Sequence, residues 1–467
     1  MNLWSAWYSV LAPLRAACNR DRNFFWLLSA IAGMCVRPDL LGVTSIVRAL
    51  GLAARCYDRL LEFFHSPGCD VDRLSQLWTK IAIERFSPYR LGGRLVLLGD
   101  GIKIPKSGRK MPAVKRLHQV SESNTKPEYI QGHSVQAISL LVSAQSSHVA
   151  VPLSARIHEG VKFTNRDQRT LPEKLTTLID SLGLTQSFVL IADAYYACAT
   201  VGSWALQRGG VLISRLRRSA VAYEQVPPPT GPRGRGRPRR YGRKIKLRTL
   251  FDDASQSWEE ADSPVYGERG VTIRYLCRDL MWRPLRRLVR FVWVIHPTRG
   301  RCIFLSTDLS LPALDIITGY GLRFKIELSF KQALRVIGAY HYHFWMSTMQ
   351  RLSRHNGTQY LHRKPKPYRD AVRRKIEAYH RHIQVGLIAQ GLLLYLAVEF
   401  PCQVWASFGS WLRTIRPGLC PSELVTCIAL RHALPEFIAD CAKGPPWQKF
   451  LGENIDPEHC EHLRLSG

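Results

Sequence analysis

The sequence predicts an α/β protein built on a mixed sheet, and three observations predict it. Two short apolar runs, RLVLLGD (residues 94–100) and FVLIAD (188–193), read as buried strands that each deliver an aspartate. Amphipathic helical segments alternate with strands between residues 169 and 217. A Pro/Gly/Arg-rich segment then breaks the pattern, and a second group of strand-like runs follows it.

Taken in order, residues 1–90 read as helical. Within them TSIVRALGLAARCYDRLLEFFHS (Thr44–Ser66) places apolar residues at helical spacing around Gly51. That resembles a helix-turn-helix, with Ser45–Leu50, a turn, and Ala54–Phe64 as the second helix of a DNA-binding region. The segment 91–218 holds the Arg94–Asp100 strand, a hairpin of His133–Ala144 with His148–Ile157, and an amphipathic helix over Arg169–Gly183. The Phe188–Asp193 strand, a short glycine-closed helix and a strand over Val211–Arg217 complete it. Three strands, a helix, a strand, a helix and a strand is the order of a ribonuclease-H-like mixed-sheet core. Residues 219–312 read as a basic loop plus a β-rich insertion, with strands at 271–279, 286–296 and 301–308. Leu311–Gly338 reads as one long helix, so that residues 313–340 complete the core. Residues 341–467 read as mostly helical. Their apolar run, Ile383–Phe400, approaches membrane-spanning length but contains Gln384, Gln390 and Glu399. It predicts a buried helix and no membrane partner.

The 467 residues carry 66 Lys plus Arg against 36 Asp plus Glu, a formal net charge of +30. A field of that size favours polyanions, nucleic acid first. The 12 cysteines include no CxxC pair, and the N-terminus has no basic region followed by an apolar core. Reduced thiols in the cytoplasm fit best.

The chemistry is predicted to lie with acids. An aspartate emerging at the carboxyl end of a buried strand sits at the rim of the sheet, where α/β proteins bind ligands. Neighbouring strands would bring Asp100 and Asp193 together, and two such carboxylates repel unless a cation lies between them. A third carboxylate completes a hard oxygen site suited to Mg²⁺ or Mn²⁺. Glu327, in YGLRFKIELSF (Tyr320–Phe330), is the candidate. Read as a continuous helix, Tyr320, Arg323 and Lys331 project within about 40° of it. A two-metal site of this kind activates water or a 3′-hydroxyl for attack on a phosphodiester.

The landmarks LLGDGIKIPKSGRKMP, YIQGHSVQAISLLV, VLIADAYY and FLSTDLSL with YGLRFKIELSFKQA span about residues 90–340. In them the chain resembles the DDE transposases of bacterial insertion sequences, in the branch with a β-rich insertion before the glutamate helix. The resemblance implies that Asp100, Asp193 and Glu327 are the catalytic, Mg²⁺-binding residues, with Mn²⁺ as a substitute. It implies double-stranded DNA as partner, both terminal inverted repeats and target, a homodimer in the synaptic complex, and a place on the bacterial nucleoid. The branch carries Y-x2-R-x3-E-x6-K on the glutamate helix. Tyr320, Arg323 and Glu327 match, but position 334 is Leu. Lys331, one turn earlier, or Arg335 then takes the lysine's place at the phosphate. Tyr320 and Arg323 are expected to contact the DNA backbone, as are Lys103 and Lys106 just after Asp100.

Nine of the 18 residues from Gly231 to Arg248 are Lys or Arg, and no acid occurs from Gln225 to Phe251. Around Arg235-Gly236-Arg237-Pro238 this loop resembles an AT-hook. Arg233, Arg235, Arg237, Arg239 and Arg240 would enter a narrow minor groove; the alternative is a nonspecific polybasic loop. Trp258, Trp282 and Trp293 are expected to pack the insertion's core, with stacking on an unpaired base as the alternative. The leading function is a cut-and-join transposase. The alternatives are a catalytically inactive descendant that still binds DNA, motivated by Leu334, and a nuclease of the same fold that never joins ends.

Overall fold

The computed structural model describes residues 2–119, 127–145, 147–226, 239–409, 418–439 and 444–458. The chain forms two compact units. One comprises Met1–Ser87, Gly101–Gly183 and Glu327–Gly467, the other Pro88–Asp100 and Leu184–Ile326.

The first unit is dominated by helices around one long central helix, Lys366–Glu399. That helix is long and apolar enough, by length and composition, to cross a membrane, yet 89% of its apolar window is buried within the protein. Its two glutamines find partners there, Gln390 through its Nε2 alone. The Gln384 amide donates to Leu153 O at 2.9 Å and accepts from Ser75 Oγ at 2.9 Å, while Gln390 Nε2 donates to Ser329 O at 3.0 Å. Buried amides with protein partners are what a core helix requires. The expected helical pair is present as Val43–Ala49 and Cys56–His65. The second helix turns Leu60, Phe63 and Phe64 inward and leaves Tyr57, Asp58, Arg59 and Glu62 exposed. Its outward face therefore carries both signs of charge, with Arg59 paired to Glu62 at 3.4 Å.

The same unit holds the expected hairpin, Tyr129–Ala144 antiparallel to Ser147–Ile157, with a register shift between Ile138 and Ser139. The Lys115–His118 strand pairs with the start of the Tyr129–Ala144 strand. Gly132 lies so close to Ile104 that a Cβ there would stand 2.0 Å from the Ile104 carbonyl oxygen. Glycine at that position is what lets the two backbones meet.

The second unit is a mixed sheet. Leu95–Gly99 pairs in parallel with Phe188–Ala192, and that strand pairs in parallel with Val211–Arg215. The Gly300–Ser306 strand adds to Val211–Arg215 antiparallel, followed by Arg287–His296 and Thr272–Trp282. These inserted strands bury a core of their own. Trp282, Phe291 and Trp293 lie inside it, Trp258 packs against it, and Trp293 Nε1 donates to Leu247 O at 2.7 Å. All three tryptophans thus serve packing, the ordinary use of a buried aromatic. Arg94 pairs with Asp308 at 2.8 Å and ties the first sheet strand to the end of the insertion.

Two elements differ from the sequence expectation. The strand expected to stop at Asp100 runs from Arg94 to Pro105. Backbone pairing continues past the aspartate, and Lys106 N still donates to Gln131 O at 2.9 Å. The expected single helix over Leu311–Gly338 is two helices, Ala313–Leu322 and Lys325–Gln332, followed by a π-turn at Ala333–Ile337. Gly319 and Gly321 weaken the first helix near its end. There Arg323 N bonds to Tyr320 O and Ile326 N to Arg323 O, three-residue closures that tighten and stop it.

Candidate active site

The paired aspartates come from backbone register. Gly99 stands opposite Ala192, and Ala192 opposite Ser214. The next residue on each of these three parallel strands is Asp100, Asp193 and Arg215. Neighbouring strands lie about 4.8 Å apart, so two carboxylates and one guanidinium take neighbouring positions across the three strands. Sequence reasoning found the aspartates from their matched contexts but missed Arg215. The signal was the third apolar strand, VLISR, which ends on a base where the others end on an acid.

Asp193 follows its strand directly and caps the short Ala194–Tyr196 turn, its Oδ1 accepting from Ala194 N. Ser214 Oγ donates to the Asp193 carbonyl at 3.0 Å and ties the Asp193 and Arg215 strands together beside the acids. Asp100 is partly buried, and Arg323 Nη1 donates to its Oδ2 at 2.8 Å. Arg323 was expected to face a phosphate. In this fold it sits at the C-cap of Ala313–Leu322 and binds a candidate ligand carboxylate. The helix break removes the continuous helical face on which Arg323 and Glu327 were projected together.

Tyr320 packs its ring 4.6 Å from Phe304. Burial, with the Asp193 charge adding to it, pushes its phenol up to about 12 against the opposing pull of Arg323 and Arg215. The group therefore stays protonated at neutral pH and can donate a hydrogen bond.

Glu327 is exposed on the Lys325–Gln332 helix, and Lys331 is exposed one turn later. Leu334 is half-buried and Arg335 exposed. Lys103 is exposed and donates to the His118 carbonyl. Lys106 does not fit the DNA-contacting role expected of it. It is buried, its Nζ donates to Tyr340 O at 2.6 Å and Tyr342 O at 3.2 Å, and it lies over the Tyr342 ring at 3.7 Å. Burial lowers its pKa to about 7. The strand's extension past Asp100 delivers residue 106 into the interior rather than to the rim. Of the arginines assigned to the minor groove, Arg239 and Arg240 are exposed. Arg233, Arg235 and Arg237 lie outside the described residues.

Two carboxylates at neighbouring positions on adjacent strands offer hard oxygen ligands, which would fit a divalent cation such as Mg²⁺. Among the described residues no group of three or more His, Cys, Asp or Glu side chains is gathered for a metal ion.

A family model described as DDE superfamily endonuclease matches residues 13–280, more than half of the chain. The chain belongs to the DDE superfamily of endonucleases. The match includes Asp100 and Asp193 of this DDE endonuclease and ends before Glu327. Among solved structures, it is similar to a piggyBac transposase in a synaptic complex with hairpin DNA, with 12% identity and a TM-score of 0.37. That similarity covers 94% of this chain and 76% of the other. None of the curated protein sequences matches it.

Proposed function

We propose that this endonuclease is the DNA transposase of a bacterial insertion sequence. It binds the terminal inverted repeats of double-stranded DNA, cleaves them, and joins the freed 3′-hydroxyl ends to target DNA as a homodimer on the bacterial nucleoid. The observation that carries the reading is the register that sets Asp100 beside Asp193 on parallel strands in a DDE-superfamily chain of charge +30. The strand order, with the hairpin, the two aspartate strands and the Val211–Arg215 strand, supports a ribonuclease-H-like core interrupted by the insertion at 219–312.

In this reading Asp100, Asp193 and Glu327 hold Mg²⁺. Bound there, the ion supplies Lewis acidity toward the phosphodiester and lowers the pKa of an attacking water. Tyr320 keeps its proton and donates a hydrogen bond to a phosphate oxygen. Arg323 leaves Asp100 for the phosphate, where its planar fork can bond two oxygens. Lys331 and Lys103 neutralise the backbone flanking the cut. The exposed Arg239 and Arg240 anchor the basic segment to DNA. The Cys56–His65 helix presents Asp58 and Glu62 beside Arg59, so its share of DNA binding is small.

The test is cleavage of terminal-repeat DNA by wild type, Asp193→Ala and Glu327→Gln, followed by strand transfer from precut ends. Wild type is expected to cut and join, and each variant to lose both by at least about 10³-fold. Cutting by Glu327→Gln at the wild-type rate removes Glu327 from the site. Cutting without joining leaves a nuclease. No cutting by wild type leaves the DNA-binding descendant that Leu334 suggests.

A further inference from the structure

Cys18 and Cys69 face each other across an isolated antiparallel bridge in the first unit. Asn19 N donates to Gly68 O at 3.1 Å and Asp70 N to Ala17 O at 2.9 Å. These two bonds flank the cysteines, which are therefore a non-hydrogen-bonded pair. In such pairs the side chains stand closest, with Cα atoms about 4.5 Å apart. A disulfide spans Cα separations of about 4.4–6.8 Å. Both thiols are free, and their side chains share a hydrogen bond. The backbone already has the spacing that a disulfide needs.

The surroundings set the two sulfurs apart. Arg15 donates through Nη1 to the Cys18 carbonyl. Arg381, buried on the Lys366–Glu399 helix, donates through Nε to the Cys69 carbonyl at 3.1 Å. The hydrogen bond with Cys69, joined by the Arg15 and Arg381 charges, holds the Cys18 thiol below its ordinary range against the opposing effect of burial. The same hydrogen bond, with burial, pushes Cys69 well above that range. Cys18 is the nucleophile of the pair, and Cys69 keeps its proton. The bridge lies just beneath the surface. Cys18 and Cys69 are 6% and 1% exposed, whereas Asn19, Pro67 and Asp70 around them are open to solvent. An oxidant of two heavy atoms needs little opening to reach Cys18.

We propose that Cys18 and Cys69 form a reversible disulfide when the protein meets hydrogen peroxide. The Cys18 thiolate attacks one peroxide oxygen and the O–O bond breaks. This leaves a sulfenic acid on Cys18 and a hydroxide that takes up a proton to become water. The Cys69 sulfur then attacks the Cys18 sulfur. The S–S bond forms, the S–O bond breaks, and the Cys69 proton leaves with the hydroxyl as a second water. The two thiols lose two electrons and the peroxide gains them. The bond encloses residues 19–68, and with them the Val43–Ala49 and Cys56–His65 helical pair. Closing that loop restricts the unfolded chain and so stabilises these helices. Transient bonds of this kind are the form that cytoplasmic disulfides usually take. The chemistry uses none of the candidate active-site residues, so it stands apart from the transposase reading.

Full-length protein is reduced, freed of reductant, exposed to hydrogen peroxide and quenched with iodoacetamide. Tryptic digestion without reductant follows, read by mass spectrometry. Cys18 falls in the peptide Ala16–Arg20 and Cys69 in Leu60–Arg73. The two peptides should be recovered joined, as the main disulfide species, and dithiothreitol should part them. The oxidised protein should melt about 5 °C higher than the reduced protein. Cys18→Ser should abolish both the joined peptide and the shift. Cys69→Ser removes the resolving thiol, so dimedone should trap Cys18 as its sulfenic acid, whereas Cys18→Ser should leave Cys69 untrapped. Recovery of both wild-type peptides separately alkylated overturns the proposal, and so does Cys18 joined to a different cysteine. The wild-type peptide map decides this even where a variant fails to fold.

Discussion

Arg323 Nη1 lies 2.8 Å from Asp100 Oδ2, so a base holds the carboxylate that a divalent cation would use. The two compete for one oxygen. Arg323→Gln is expected to bind Mn²⁺ about tenfold more tightly than wild type, equivalent to about 1.4 kcal/mol of competition removed. Calorimetric titration of the free protein measures this directly. Equal affinity in the two proteins would mean that Asp100 is not a ligand.

Tyr320 is held protonated up to about pH 12 by burial and by the Asp193 charge. Tyr320→Phe removes one donor and should slow DNA cleavage about tenfold, the worth of one hydrogen bond to a charged group. Its pH–rate profile should keep the wild-type shape up to about pH 10, because the phenol does not ionise in that range. A wild-type alkaline limb that disappears in the variant would assign an ionisation there to Tyr320.

Lys106 gives a stability signature. Its pKa is about 7 in the folded chain, against an ordinary value of 10.5. Between these values the unfolded state binds more protons, so stability rises with pH across about 7 to 10.5. Below about pH 7 both states are protonated, and the cost of burying the charge is fully present. Lys106→Met should flatten the rise of melting temperature with pH in that window while leaving DNA affinity unchanged. A variant that loses DNA affinity at unchanged stability would return Lys106 to the DNA interface.

Gly132→Ala places a methyl group 2.0 Å from the Ile104 carbonyl oxygen. Backbone must move to admit it, so the variant should lose about 2–3 kcal/mol or more of stability in urea unfolding. Gly209→Ala is the contrast. Its Cβ would meet nothing within 4 Å, and only the strain of its positive φ of 66° applies, about 1 kcal/mol.

Arg239 and Arg240 are exposed at the edge of the basic segment. Replacing both with Gln should lower the salt slope of duplex binding by up to about 2. A minor-groove role adds a preference: the loss should be greater on A·T-rich than on G·C-rich duplexes. Equal losses on both favour a nonspecific polybasic loop.

Local sequence determined much of this molecule. The apolar runs before Asp100 and Asp193, the strands of the insertion, the amphipathic Leu171–Asp180 helix and the buried helix through Ile383 were legible, because hydrophobic period and run length are local properties. The acids were legible as candidates because each ended such a run in the same way. Tertiary structure decided what each polar side chain faces. Nothing in the sequence near Lys106 distinguishes a rim lysine from a buried one; pairing that continues to Pro105 and Lys106 made it buried. The YGLRFKIELSF stretch reads as one helical face, but three-residue closures at Tyr320 and Arg323 break it, and Arg323 binds Asp100. Arg215 joins the aspartates only through strand register, a relation between residues far apart in the chain. Periodicity places a residue on an element, whereas the ion pairs and alignments of this site depend on which elements meet, and that is set by packing across the whole fold.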